Sequence, residues 1–149
     1  MAAASREQIE ALTGKNTAAG CSAMKALLAL SEESGCVYPY MEQFIHMMDS
    51  ENSYIRTRGL LLICANAKWD ADHRIDENLP QILNHITDEK PITARQFIGA
   101  LAQIAAAKPD LKKEILAALR MADPRKYPLS MRGLVEADLR RAICQVEQG

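Results

Sequence analysis

Asn52-Ser-Tyr-Ile-Arg-Thr-Arg-Gly-Leu-Leu-Leu-Ile-Cys-Ala65 decides the fold. After Asn52 it falls within an expected helix over 53–69. From Leu60 to Cys64 apolar residues run almost all the way round the helix. Such a helix has to be covered on several sides, not on one stripe. Gly59 inside it, like Gly99 in the expected helix 92–107, carries a helix-propensity cost of about 1 kcal/mol against alanine, which suggests that both let a neighbouring helix approach closely.

Working outward, helical spacing continues along the chain. Val37, Tyr40, Met41, Phe44, Ile45 and Met48 follow the i, i+3, i+4, i+7 rule, as do Ile75, Leu79, Ile82, Leu83 and Ile86. Leu111, Ile115, Ala118 and Leu119 repeat the pattern, and so does the stretch from Leu134 to Val146. Ser5 with Gln8 forms a capping box. Pro91 and Pro109 stand where a first helical turn tolerates proline. The expected helices are 5–13, 16–33, 37–49, 53–69, 72–87, 92–107, 109–121 and 130–147, which make four antiparallel pairs. The second helix of each pair contains a related segment opening on a small residue: Ala23, Gly59, Gly99 and Ala137, at offsets of 36, 40 and 38 residues. A period of about 40 residues with two helices per period predicts an α-solenoid. The expected fold is therefore all-α, a right-handed α-α superhelix forming a single domain over 1–149.

The segment from Met48 to Leu62 resembles a HEAT repeat: Asp49 in the turn, the Ile55-Arg56 step, the small Gly59 and then Leu62. Asp88, Ala94-Arg95 and Gly99 form a looser copy, and the end repeats keep only the small and aliphatic positions. Asn52–Gly59, Asn66–Asp70 and His85–Arg95 are similar to a group of small bacterial HEAT-like proteins. Some of these carry a label tied to Suf-type iron–sulfur assembly. Suf scaffold proteins of that name are β-rich, and this chain has no clustered cysteine ligands for a cluster. The resemblance implies a HEAT/armadillo-type binding scaffold without cofactor or catalytic residues.

Bulk composition agrees. The chain is 149 residues long, 48% hydrophobic and 25% charged, and its 18 basic residues against 19 acidic ones give a formal net charge of -1. That balance speaks against a dedicated nucleic-acid or membrane-surface protein. No apolar run approaches the ~20 residues of a transmembrane helix. Met1-Ala-Ala-Ala-Ser5 lacks the basic and apolar regions of a signal peptide, so a cytoplasmic protein is expected. Cys21, Cys64 and Cys144 fall within apolar helical patterns and read as buried thiols. No motif for a metal or a cofactor is present. His73 and Glu77 at i, i+4 sit among acids that simply suit a helix N-terminus.

The candidate binding residues are Tyr54, Arg56, Arg58, Lys68, Trp69 and Arg95, on or beside the inner helices of the middle repeats. They fit a protein or peptide partner, including an acidic one. Arg56 with Asp49 or Asp88, and Arg95 with Asp88, also fit structural pairs between repeats. Arg58 lies off that ladder position and is the stronger binding candidate; Arg58→Glu is expected to leave the fold intact. Trp69 reads equally as a hot spot or as a lid on the core. Asn66 has no counterparts in the other repeats and reads as serving a local polar need. Two other functions remain open. One is nucleic-acid binding of the kind seen in HEAT-like alkyl-base DNA glycosylases, with Trp69, Asp70 or Asp72, and Arg95 matching their trio in residue type. The other is a structural oligomerisation module.

Overall fold

The computed structural model describes residues 3–149. Met1 and Ala2, where the leader reading starts, lie outside the described residues. The chain is all-helical, with no strand among those residues. Its α-helices are α1 (Arg6–Ala11), α2 (Thr17–Glu33), α3 (Met41–Met47), α4 (Ser53–Ala65), α5 (Arg74–Glu77), α6 (Leu79–Leu83), α7 (Pro91–Ala100), α8 (Ala102–Ala107), α9 (Lys112–Met121) and α10 (Leu129–Gln148). Short 3-10 turns adjoin them at Tyr38–Tyr40, Ala67–Trp69, Asn84–Thr87, Pro109–Leu111 and Pro124–Lys126. None of the described helices is long and apolar enough to cross a membrane.

The first start signal works as the sequence indicates. Ser5 Oγ accepts from the Gln8 amide at 3.1 Å while Gln8 Oε1 accepts from the Ser5 amide at 2.9 Å. Asn52 Oδ1 accepts from the Tyr54 and Ile55 amides and starts α4. The expected helix 72–87 is instead broken into α5, α6 and a 3-10 turn. Pro80 explains the break: it lacks an amide and its ring obstructs the preceding turn, so it sits in the first turn of a new helix. The expected helix 92–107 divides at Leu101 into α7 and α8.

The second helices pack in a row. α4 lies between α2 and α7, and α7 in turn packs on α10. Each is also packed by a neighbouring element: α1 against α2, α3 against α4, the Asn84–Thr87 turn against α7, and α9 against α10. α4 is thus enclosed by α2, α3, α7 and α8, which is why it is apolar nearly all round. Leu60, Leu62, Ile63 and Cys64 are buried in it, and burial pushes the Cys64 thiol up to about 12. Phe44, Leu27, Phe97, Leu101, Ile104 and Ile115 belong to the same continuous core. The thiol expectation fails at Cys144, which is exposed on α10, and holds only in part at Cys21, which is half-buried.

Gly59 and Gly99 turn out to be unlike. A Cβ on Gly59 would stand 2.7 Å from the Phe44 carbonyl oxygen and 2.8 Å from Met47 Cβ, whereas a Cβ on Gly99 would meet nothing within 4 Å. Gly59 is therefore the contact point between α3 and α4, and Gly99 is an exposed helix position with no packing role. The two should respond to alanine with opposite signs. Gly59→Ala is expected to cost about 1–3 kcal/mol by overpacking, and Gly99→Ala to stabilise by about 0.5–1 kcal/mol through helix propensity. Urea unfolding of both variants checks this; a neutral Gly59→Ala would refute the close approach.

Candidate functional groove

A groove of about 360 Å³ opens where the N-terminal halves of α2, α4 and α7 meet. That volume lies in the range of ligand sites, and the exposed lining is mostly apolar. α4 provides Tyr54 and Arg58, which share a face because they stand four residues apart. Asn52 caps the helix just before Tyr54 and fixes where that side chain leaves the backbone. Tyr54 is 63% exposed, and Ile92, which lines the groove from α7, is 65% exposed. Cys21 and Met24 of α2 line the remaining wall, both half-buried.

Thr57 and Thr93 tie α4 to α7 along the groove. Thr57 donates its hydroxyl to the Ser53 carbonyl at 2.7 Å, so the 2.8 Å bond between the two hydroxyls has Thr93 as donor. On the α2 side, Arg58 reaches across to donate to the Leu12 carbonyl at 2.9 Å and the Thr17 carbonyl at 3.2 Å. Its guanidinium lies over Gly20, where a Cβ would come within 2.5 Å of Cζ. Arg58 is only 5% exposed, and no carboxylate stands within ion-pair distance of it among the described residues. The expectation that Arg58→Glu spares the fold is thereby corrected: this cation stitches the α1–α2 corner to α4.

The structure brings together only Tyr54 and Arg58 of the expected binding set. Arg56 points away from the groove into a buried network. Its Nε and Nη2 donate to the two carboxylate oxygens of Asp88, each at 2.8 Å, and Nη1 donates to the Ser50 carbonyl at 3.0 Å. His85 Nδ1 also donates to Asp88 at 2.7 Å, as does the Lys90 amide at 2.8 Å. Burial opposes the charge on Asp88, yet the His85 and Arg56 hydrogen bonds and the Lys90 amide hold its carboxyl well below the usual range. Tyr127 donates to the Asp88 carbonyl at 2.5 Å, and burial followed by the Asp88 charge pushes its phenol up to about 12. Arg95 takes Asp138 at 2.6 Å, not Asp88, because Asp88 is already enclosed by Arg56, His85 and the Lys90 amide.

Lys68 and Trp69 lie beyond the other end of α4 from Tyr54. Trp69 donates Nε1 to the Ser31 carbonyl at 2.8 Å and its ring packs against Gly35, closing the end of the core. Lys68 donates to the Glu32 carbonyl at 3.0 Å, at the C-terminal end of α2, where a cation suits the helix dipole. Asn66 is fully buried and donates to Ser31 Oγ and the Leu62 carbonyl, while its Oδ1 is buried with no hydrogen-bond partner among the described residues, so the local polar need expected of it is met only in part.

Next to Trp69 stands a cluster whose acids, Asp70 and Asp76, belong to the polar run expected at a helix start, while its other members, Tyr38 and Lys108, carry no sequence signal. Asp70 caps α5 by accepting from the Arg74 and Ile75 amides. It also accepts from the Tyr38 hydroxyl at 2.5 Å and pairs with Lys108 at 3.1 Å. Burial, then the hydrogen bond to Asp70, pushes the Tyr38 phenol upward. Lys108 reaches Asp76 as well, at 2.5 Å. Every group here is engaged with a neighbour, and the cluster pins the α4–α5 corner to the end of α8. Arg95 does not line the cavity beside Trp69 and Asp70, so the glycosylase-like trio is not assembled in one site. The Tyr38 and Lys108 contacts join segments more than 30 residues apart, which leaves no signal in local spacing.

Comparison with protein-family models, with curated proteins and with solved structures finds no match for this chain.

Proposed function

We propose that the chain is an α-solenoid of the HEAT/armadillo type that binds a protein or peptide in the groove formed by its inner helices α2, α4 and α7. Repetition in the contacts supports the solenoid. Lys68 donates to the Glu32 carbonyl and Lys108 to the Asp70 carbonyl, two straps joining successive repeats at corresponding places. Arg56 with Asp88 and Arg95 with Asp138 likewise join one repeat to the next. Together with the row of second helices, these contacts make a stack whose repeats depend on their neighbours.

The observation that carries the binding reading is the pair Tyr54 and Ile92. Two large side chains, each more than half exposed, line one mostly apolar groove from α4 and α7. Large exposed apolar side chains gathered at a concave site mark an interaction surface, and tyrosine is a favoured anchor there. The fold needs neither side chain for its core, so binding explains them better than stability does. As part of the same proposal the protein works in the cytosol, where unpaired thiols persist.

Selecting a displayed peptide library on the wild-type protein tests this. Selected peptides are expected to bind the Tyr54→Ala, Ile92→Asp variant at least about tenfold more weakly, the loss of a single hot spot or more. Equal binding to both proteins, or a library that yields no peptide, would refute the groove as the binding site.

A further inference from the structure

We infer that the groove is built for a partner's acidic segment, with an Asp or Glu carboxylate of that segment docking on Arg58 and apolar neighbours resting on Tyr54 and Ile92. This rests on the peptide-binding reading above and names the chemistry of its ligand.

Charge carries the inference. Arg58 and Lys90 both line the groove, and no Asp or Glu does. The other arginine buried to this degree, Arg56, holds a bidentate carboxylate; Arg58 has only two main-chain carbonyls. A guanidinium stays charged at any ordinary pH, and an interior charge without a counterion bears a desolvation cost that an incoming carboxylate relieves. The Thr57 and Thr93 hydroxyl protons are already committed to Ser53 and Thr57, so Gln96 is the side chain beside Arg58 that can add an N–H to an incoming carboxylate. Lys90 is exposed at the rim, where it favours the approach of an acidic segment without being part of the packing. The apolar walls require the rest of the ligand to be apolar. A highly charged polymer such as nucleic acid satisfies the cations and not the walls, whereas an acidic residue between apolar ones satisfies both.

The test uses the peptides selected on the full chain. They are expected to carry Asp or Glu flanked by apolar residues. Replacing that acid by Asn or Gln should weaken binding about ten- to a hundredfold, the range of a lost charge-assisted hydrogen bond. Lys90→Glu, at an exposed position that leaves the fold alone, should weaken binding and its salt dependence together. Because Arg58 also holds the α1–α2 corner, it is followed without mutation: its Nε–Hε NMR signal should shift on adding the acidic peptide and stay in place with the Asn or Gln form. Peptides that bind in the groove, by the Tyr54 and Ile92 criterion, but tolerate loss of the acid would overturn this inference and leave the binding reading standing. Octanoate binding as tightly as the best peptide would overturn it in favour of a small-carboxylate site. If no peptide binds at all, both readings fall.

Discussion

Asp88→Ala is expected to lower the free energy of unfolding by about 3–5 kcal/mol, the cost of leaving one member of a buried ion pair alone. Both partners are nearly inaccessible, with side-chain exposures of 8% for Arg56 and 3% for Asp88. Without the carboxylate, the Arg56 guanidinium keeps the Ser50 and Glu51 carbonyls and nothing of opposite charge, while His85 and the Lys90 amide lose their acceptor. Replacing both partners by apolar residues, as in Arg56→Met with Asp88→Leu, should cost less than Asp88→Ala alone, because no unpaired charge then remains inside. Acid adds a second reading of the same contact. Asp88 has a folded pKa below its unfolded value of about 3.9. Its stabilisation is therefore present above about pH 4 and is lost as pH falls through the lowered value. The gap between wild type and Asp88→Ala should narrow in that acid window, since protonation removes in the wild type what mutation removes in the variant. Urea unfolding at pH 7 and near pH 3 measures both; a loss under 1 kcal/mol at pH 7 would show that this pair does not hold α4 to the segment before α7.

Why some of this could be read in advance and some could not follows from the range of each interaction. Helix content follows from local spacing, and it is local in the structure: the Ser5 box and the first-turn positions of Pro91 and Pro109 involve residues within one turn. The resemblance to a HEAT repeat offers Arg56 either Asp49 or Asp88, and the structure selects Asp88. The role of Arg58 depends on Leu12, Thr17 and Gly20, which lie far from it in the chain, so local spacing carries no sign of it. Tyr54 and Arg58 on one face of α4 could be read from their spacing. Ile92, Cys21 and Met24 could not be assigned to the groove, because an apolar residue facing a groove has the same helical spacing as one facing the core. Only the neighbouring helix distinguishes them. The same holds for Gly59 and Gly99, identical in the repeat and opposite in their surroundings.

Leu62→Ala is expected to cost about 2–5 kcal/mol, the range for truncating a large buried side chain where the structure relaxes only in part. Leu62 is fully buried in the one helix that touches α2, α3, α7 and α8, so no single neighbour can move in to fill the space without leaving another. The preceding residue is the control. Leu61 is half-buried and packs at the edge of the core, so Leu61→Ala removes the same atoms from a less enclosed place and should cost clearly less. Thermal and urea unfolding of the two variants therefore test the rotational register of α4; a reversed order would mean that the helix is turned by about one residue from the packing described. Register is also what sets the groove, because the face that carries Tyr54 and Arg58 toward α2 is fixed by the face that buries Leu62. At temperatures where both variants remain folded, each should keep wild-type affinity for a groove-binding peptide. A Leu62→Ala protein that is folded yet has lost binding would show that the groove depends on the core packing of α4 and is not merely presented by it.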